Sequence, residues 1–465
     1  MKKIAIYILS LLLGTSEMCG QVQRSDEFHD KYKLTGVAVF SRHNIRAPQA
    51  EPGSFISQVT PYEWHDFGVG RSELTMKGGI LETTVGQFFH QWVVSEGLFP
   101  ENAEPTDEEI YVLANSKQRT ISTARHFISS FMPMKTITVN HEGKVGNMDP
   151  NFSLNLGTDI TDSEWAQIKA EYDAAYGEEK LRQACQDMQP VFSLVEDVID
   201  AKDSEAYQSG EFTGFNDYNS VINFAAGTEP DVTASLKSVV SVVDALVLQY
   251  YEEPDETKAA FGKTLTSEQW HQLAGFIAMR DGVRFSSPFV QRYVSRHQRQ
   301  LLAEALQMDD RKFTFLCGHD TNILNILRAM RTRSYDVTDA IENEIPIGSK
   351  IVFEKWTDNE GNDFIGVNHV YQSVDQLRGN ILLNLATPPC IHPLEFEGLE
   401  ANADGLYTLK DMTDLLTDNN LPSAVNAPAV TSSSRQSMTY TISGTPANGG
   451  YRGIAIRNNE KTLVK

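Results

Sequence analysis

The sequence predicts an α/β fold with a central, mostly parallel sheet flanked by helices and a smaller, mainly helical cap domain. Near both ends of the chain, short apolar segments typical of buried strands alternate with helical segments, which is the order of a parallel α/β sheet. The middle of the chain is rich in helical segments instead. We therefore expect residues 21–140 and 300–415 to form the α/β core, and residues 141–299 to form the inserted cap.

The N-terminal part of the core is predicted to contain two strands, each followed by a helix. Residues 35–40 (TGVAVF) are a continuous apolar run, which predicts a buried strand that leads directly into His43. Apolar residues at helical spacing predict a helix over residues 81–93. Residues 110–113 predict the second strand, and the polar stretch after it opens another helix near Thr120.

The predicted elements of the middle and of the C-terminal part continue this pattern. They are, in chain order, a long apolar helix over residues 233–251, a helix capped by Ser267, a helix over residues 288–307, a strand over residues 312–317, a helix that ends near Met330, and a hairpin of residues 350–356 and 364–371. The strands among them are expected to join the same sheet as the two N-terminal strands.

The first residues have the pattern of a secretory signal, predicted to span residues 1–20. Lys2 and Lys3 precede an apolar run over residues 4–13, which is shorter than the roughly 20 residues that span a bilayer. We expect cleavage near residue 20 and a soluble periplasmic or secreted product. Lipid attachment at Cys19 is the alternative. No later segment is long and apolar enough to span a membrane, so no membrane span is expected.

Charge and cysteine content exclude several classes of partner. The formal net charge of −22 argues against nucleic acid, because a phosphate backbone requires a basic surface. A few arginines in a cleft can still attract a phosphorylated small molecule. Once Cys19 is removed, Cys185, Cys317 and Cys390 allow at most one disulfide, and none lies at metal-ligand spacing. We expect no metal and no cofactor.

Three strand ends carry the residues on which the functional prediction depends. Arg42 and His43 follow the first strand, Arg119 follows the second, and His319 with Asp320 follows the strand over residues 312–317. Ligands of open α/β sheets bind beyond the carboxyl ends of the strands, so these side chains are expected to converge there. Each pair alone could be a surface feature or a helix cap, but three at three strand ends favour a site.

Arginines on both sides of a histidine suit phosphoryl chemistry. The guanidinium groups of Arg42 and Arg46 can hold phosphate oxygens by paired, charge-assisted hydrogen bonds, and Arg119 supplies a third. Their positive charge keeps the imidazole of His43 neutral, which makes it a competent nucleophile. Asp320 could protonate the departing oxygen. A protonated Asp320 would imply operation at acid pH.

The segment SRHNIRAP resembles the RHGxRxP signature of the histidine acid phosphatases, and GHDTN resembles their C-terminal HD motif. The arginine of ANSKQRTISTA fits the arginine that lies between the two motifs. Asn44 replaces the usual glycine, as in bacterial glucose-1-phosphatases, to which the segments LTMKGGILE, MDPNF, LQYYE, PIGSKIVFEKW and VYQSVDQLR are also similar. The resemblance covers roughly residues 33–415.

The resemblance implies a fold, a mechanism and substrates. The fold is an α/β core with a helical cap. His43 would be the phosphorylated nucleophile and Asp320 the proton donor, and the phosphate would be bound by Arg42, Arg46, Arg119 and His319. Glu229 in GTEPDV would contact the leaving group, although a solvated glutamate before a proline is an equal alternative. Glucose 1-phosphate is the first expected substrate and inositol hexakisphosphate (phytate) the second.

Other functions of the same fold remain open at this point. A phosphomutase also forms a phosphohistidine but returns the phosphoryl group to a second hydroxyl, and a sugar-phosphate binding protein would have an inactive site. The polar segment after residue 415, rich in Ser, Thr, Asn and Pro, predicts a linker followed by a short β extension over the rest of residues 416–465.

Overall fold

The computed structural model describes residues 24–215 and 219–418, together with three short strands beyond them. The predicted signal segment lies outside the described residues. The helices are α1 (Asp26–Lys31), α2 (Phe55–Gln58), α3 (Met76–Ser95), α4 (Gln118–Phe131), α5 (Asp162–Ala175), α6 (Gly177–Asp187), α7 (Gln189–Val198), α8 (Glu205–Gln208), α9 (Ala234–Glu252), α10 (Glu256–Ala259), α11 (Ser267–Arg284), α12 (Pro288–Gln307), α13 (Asp320–Ala329), α14 (Val374–Gly379) and α15 (Leu409–Thr417). The strands are β1 (Tyr32–Arg42), β2 (Ile110–Ala114), β3 (Ile222–Asn223), β4 (Asp231–Val232), β5 (Phe313–Gly318), β6 (Lys350–Asp358), β7 (Asp363–Tyr371), β8 (Cys390–Pro393), β9 (Tyr407–Thr408), β10 (Tyr440–Thr441), β11 (Gly453–Arg457) and β12 (Glu460–Val464).

The main sheet has the strand order β2-β5-β1-β6-β7-β8, with β9 paired to β7. β5 is parallel to both β2 and β1, whereas β6, β7, β8 and β9 join by antiparallel pairing. Four of the seven strands (β2, β5, β1 and β7) therefore point the same way. The predicted α/β fold is confirmed, and its parallel part consists of the three strands that lead into the candidate site.

The two faces of the sheet are both covered, which explains the continuous apolar runs in the sequence. Alternate residues of β1 enter different cores: Val37 and Val39 pack with side chains of α3 and α4, and Ala38 and Phe40 pack with those of α12 and α13. Full burial of such a side chain stabilises the fold by roughly 1.5–3 kcal/mol. The sheet thus lies between two helical layers, and this packing sets the positions of its strand ends.

The middle of the chain folds into helices around a third core. α9 contributes the largest share of its buried side chains, and α7 and α11 pack against α9. The helix predicted near residue 267 begins there, but its cap is Thr266 rather than Ser267. Thr266 accepts a hydrogen bond from the Gln269 backbone, and the Gln269 side chain accepts one from the backbone N–H of Thr266. The proposed core and cap boundaries stay a prediction.

The described residues 24–215 and 219–418 belong to one compact unit, and the strands β10, β11 and β12 belong to a second. α15 continues to Thr417, slightly beyond the start predicted for the C-terminal extension. In the second unit, β10 and β12 pair antiparallel with β11. These strands lie within the predicted β extension, and the predicted linker beyond residue 418 lies outside the described residues. No helix of the described chain is long and apolar enough to cross a membrane.

Candidate active site

The three parallel strands end side by side. Ser41 of β1 and Ala114 of β2 are both in register with Cys317 of β5, and Arg42 is in register with Gly318. The residue that follows each strand therefore emerges at one edge of the sheet. This register brings together six of the seven predicted site residues: Arg42, His43, Arg46, Arg119, His319 and Asp320.

His43 lies at the centre of this edge and is almost completely buried. Its backbone N–H donates to the carbonyl of Gly318, which ties the β1 loop to β5. Its Nδ1 lies 2.8 Å from the carbonyl oxygen of Asn44. A carbonyl can only accept, so Nδ1 carries a hydrogen and donates it. In a neutral ring the proton on Nδ1 leaves Nε2 with a free electron pair.

The imidazole of His43 is held in the neutral form. Burial is the largest cause that lowers the pKa of His43 far below its ordinary value, and the positive charges of Arg119, Arg46 and Arg42 act in the same direction. An imidazole that stays unprotonated in mild acid can act as a nucleophile under conditions where an exposed histidine is largely protonated.

Asp320 is the first residue of α13 and pairs with Arg42. An Nη atom of Arg42 lies 3.1 Å from one carboxylate oxygen of Asp320, and the backbone N–H of Thr321 donates to the other oxygen at 2.8 Å. Burial alone would raise the pKa of Asp320, but Arg42 and the Thr321 hydrogen bond outweigh it and lower the pKa. Without substrate, Asp320 is therefore a carboxylate.

Arg119 and His319 face each other across the site. The Asp149 backbone N–H donates to Asn115 Oδ1, so the amide of Asn115 points its Nδ2 at His319 Nε2, 2.6 Å away. A neutral His319 then carries its proton on Nδ1, and this atom lies 3.5 Å from an Nη atom of Arg119. Two hydrogen-bond donors therefore lie next to each other. An anionic oxygen placed there would accept from both.

Two arginines of the site have N–H donors that are free to bind a ligand. The buried Nε atoms of Arg42 and Arg119 have no hydrogen-bond partner in the part of the chain that the structure describes. Burial and the nearby Arg46 lower the pKa of Arg119 to about 10, so its guanidinium remains charged in acid. Arg46 donates from one Nη atom to both oxygens of Asp244, at 3.0 and 2.9 Å. The arrangement suits a tetrahedral oxyanion.

A cavity opens beside Arg42 and Asp320. Its walls are mostly apolar, with Leu248 and Ile277 among them, and Asp244 and Asp281 add carboxylates. A phosphate ester bound to the arginines would direct its leaving group toward such a space.

Glu229 does not line this cavity but is connected to its wall through Arg284. It pairs at 2.5 Å with Arg284, which also pairs with Asp281 of the cavity wall at 2.8 Å. The predicted contact of Glu229 with the leaving group stays a prediction.

Within the residues that the structure describes, no group of three or more His, Cys, Asp and Glu side chains is placed to hold a metal ion.

Sequence reasoning missed four residues, of which two contact predicted site residues and two lie behind Asn44. Asp244 is an acidic residue within the apolar stretch of α9, and that position was a usable signal. Asn115 directly follows β2, which was also a usable signal. Glu82 and Lys350 lie in the segments LTMKGGILE and PIGSKIVFEKW, but nothing in the sequence indicates that they pair. They form a buried ion pair behind Asn44, as described below.

Comparison with known proteins agrees with this geometry. Residues 33–372 match the family model described as histidine phosphatase superfamily, branch 2. A glucose-1-phosphatase of Salmonella typhimurium is 33% identical over 413 residues, which are 88% of this chain and 98% of that protein. The phytase AppA of Escherichia coli is 26% identical over 440 residues, covering 91% of this chain and 99% of the relative.

The fold is also shared with solved structures. The phytase of Citrobacter braakii superposes with a TM-score of 0.75 at 23% sequence identity, and the match covers 84% of this chain and 98% of that chain. At this level of identity the likeness concerns the fold alone.

Proposed function

The chain belongs to branch 2 of the histidine phosphatase superfamily and is a phosphatase, and from this premise we propose that it hydrolyses phosphate monoesters through a phosphohistidine formed on His43. The observation that carries the proposal is the protonation state of His43 and the charge around it. Its Nδ1–H is occupied by the Asn44 carbonyl, its Nε2 is unprotonated, and three arginines lie around it. A neutral nucleophile inside a cationic cluster is what attack on a phosphoryl dianion requires.

The first chemical step transfers the phosphoryl group to the enzyme. The electron pair on His43 Nε2 attacks phosphorus while the bond between phosphorus and the ester oxygen breaks. Arg42, Arg46, Arg119 and the Nδ1–H of His319 hold the other phosphoryl oxygens. Asp320 gives its proton to the departing oxygen.

The second step returns the enzyme to its starting state. Water attacks the phosphorus atom, Asp320 takes a proton from that water, and the bond between phosphorus and Nε2 breaks. Phosphate leaves, and His43 is again a neutral imidazole. Because Asp320 starts the cycle protonated, a bound substrate dianion must first draw Arg42 away from the carboxylate. The loss of that ion pair raises the pKa of Asp320, which favours protonation and operation at acid pH.

The proposed substrate is a sugar phosphate, with glucose 1-phosphate first. The support is the sequence identity with the glucose-1-phosphatase relative over nearly its whole length. The carboxylate of Asp244 in the cavity wall also disfavours a highly charged leaving group by repulsion. Phytate is the second candidate, because the Escherichia coli relative is named a phytase.

The test measures phosphate release at pH ~5, with EDTA present, from glucose 1-phosphate and from phytate. Wild type and His43→Ala are compared. We expect release from glucose 1-phosphate that EDTA does not affect and that the substitution abolishes. Faster release from phytate would keep the mechanism and change the substrate class. A phosphoenzyme without His43-dependent release of free phosphate would instead indicate a phosphomutase. If neither a phosphoenzyme nor free phosphate forms, the result would indicate a binding protein.

We also propose that the protein is exported, on the evidence of the two lysines and the apolar run that follows them in residues 1–20. N-terminal sequencing of the protein recovered from the periplasm or the medium tests this. A mature chain that begins near residue 21 supports export, and a chain that keeps Met1 contradicts it.

A further inference from the structure

A buried ion pair lies directly behind the loop that carries His43. Glu82 of α3 and Lys350 of β6 approach to 2.9 Å, and both side chains are at most 1% exposed. Two charges removed from water are expensive, and a buried ion pair is often no more stabilising than apolar residues of the same size. Stability alone is therefore a weak explanation for this pair, and its other contacts become informative.

The second oxygen of Glu82 binds the residue next to the nucleophile. The amide Nδ2 of Asn44 donates to Glu82 Oε2 at 3.0 Å, and Asn44 Oδ1 accepts from the backbone N–H of Ile45 at 2.9 Å. The backbone N–H of Asn44 donates to Thr123 Oγ1 at 3.2 Å. Asn44 is thus held from three directions, and its remaining polar group is the carbonyl that accepts from His43 Nδ1.

Lys350 reaches the other side of the same loop. Its Nζ donates to the carbonyl of Gly348 at 2.9 Å, and the Gly348 N–H donates to the carbonyl of His43 at 3.3 Å. Gly348 has a φ of +73°, and a Cβ there would meet Asn44 Nδ2 at 2.8 Å. The contact requires glycine on both counts.

We propose that Glu82, Lys350 and Asn44 form a positioning unit, which fixes the Asn44 carbonyl so that His43 keeps its proton on Nδ1 and presents Nε2 to the substrate. Of the three, only Asn44 touches His43, and none touches the substrate. The ion pair orients the Asn44 amide, the amide orients the carbonyl, and the carbonyl selects the tautomer. The catalytic part of this inference rests on the proposed function.

Two double variants separate positioning from mere structural support. Glu82→Gln with Lys350→Met, and Glu82→Met with Lys350→Met, both replace the ion pair by neutral side chains of similar size. Neither leaves an unpaired buried charge. They differ in one respect, because the glutamine oxygen can still accept from Asn44 Nδ2 and the methionine cannot.

We expect the glutamine variant to stay within about threefold of the wild-type kcat, and the methionine variant to lose about tenfold or more, as small displacements of reacting groups do. KM should differ by no more than about twofold between them, because the phosphate-binding residues are untouched. Equal kcat values in two folded variants would overturn the proposal. Asn44→Ala, which leaves the ion pair in place, should show the same loss of kcat, and an unchanged kcat there would also overturn it.

The tautomer itself provides a readout that does not depend on activity. In protein labelled with ¹⁵N-histidine, the His43 signals are identified by their absence in His43→Ala. We expect Nδ1 to be the protonated nitrogen in wild type and in the glutamine variant, and a mixture of tautomers in the methionine variant. If wild type shows this tautomer but no His43-dependent hydrolysis, the proposed function fails and the positioning unit stands. The same tautomer in all three proteins would reject the positioning unit.

Discussion

Arg46 and Asp244 form an ion pair in which a single Nη atom of the arginine lies 3.0 and 2.9 Å from the two carboxylate oxygens. The residues are 198 positions apart and belong to different layers of the fold, the loop after β1 and the helix α9. An arginine predicted to bind phosphate is therefore engaged by a carboxylate in the ligand-free protein. A bound phosphate has to compete with Asp244 or share Arg46 with it.

Asp244→Asn should bind phosphate more tightly. The substitution removes one negative charge beside the site, so we expect KM and the inhibition constant of inorganic phosphate to fall by about tenfold, in proportion to about 1.4 kcal/mol of relieved repulsion. Steady-state kinetics at acid pH measures both constants. Asp231→Asn is the matched control, because that carboxylate is half-exposed and forms its ion pair with the exposed Lys237. A higher KM in Asp244→Asn would show that the carboxylate mainly orients Arg46.

Asp320→Asn should slow the reaction most for esters with poor leaving groups. An amide cannot supply the proton, so we expect kcat for a sugar phosphate to fall by about 10²–10⁴-fold. An aryl phosphate whose phenolate leaves without a proton should lose much less. The ratio of the two kcat values is the measurement, and His43→Ala, which should abolish both reactions, is the control. An equal loss for both esters would contradict the role of proton donor.

Asn115→Leu should weaken phosphate binding through His319. Without the Asn115 amide, His319 Nε2 loses the donor 2.6 Å away, and the ring is free to place its proton on either nitrogen. We expect the affinity for inorganic phosphate to fall about fivefold, which corresponds to one weakened hydrogen bond of about 1 kcal/mol. Isothermal titration calorimetry reports it. In a His319→Ala background, adding Asn115→Leu should cause no further loss of affinity, and a persisting loss would place the effect elsewhere.

The free energy of unfolding should decrease as the pH falls below the ordinary pKa of histidine. Burial lowers the pKa of His369 to about 3 and holds those of His43 and His319 well below the usual value. In the unfolded chain these rings take up protons near pH ~6.5, whereas the folded protein does not, so stability is lost from there down to the folded pKa.

His369→Gln should reduce this dependence on pH. Urea unfolding at several pH values should give a slope that is smaller by up to about 1.4 kcal/mol per pH unit between pH ~6 and ~4. Above pH ~7 the free energy of unfolding should change with pH in the same way in both proteins, and this range serves as the internal control. Identical slopes in acid would mean that His369 takes up its proton in the folded state.

Local patterns along the sequence were enough to place the sheet and the residues at its edge. The mainly apolar segments TGVAVF (35–40) and KFTFLC (312–317) are typical of strands buried on both faces, as in a parallel sheet covered by helices. The observed β1 is longer, from Tyr32 to Arg42, because β6 pairs with it from Tyr32 to Ser41, and no local pattern encodes that partner. The misplaced cap at Ser267 has a similar origin, since Thr266 and Ser267 are both good caps and the reciprocal bond with Gln269 selects the first.

The sequence by itself determined the fold class, the three strand ends and the kind of chemistry, because apolar patterning, periodicity and residue type are properties of short segments. Only the tertiary structure decided which charges meet. Arg42 pairs with Asp320, Arg46 with Asp244, and Glu82 with Lys350, although the partners lie far apart in the chain. The strength and direction of an electrostatic contact depend on distance and burial, and both are set by how the layers pack. The protonation states of His43 and Asp320, on which the proposed mechanism depends, therefore come from the packing of the folded chain.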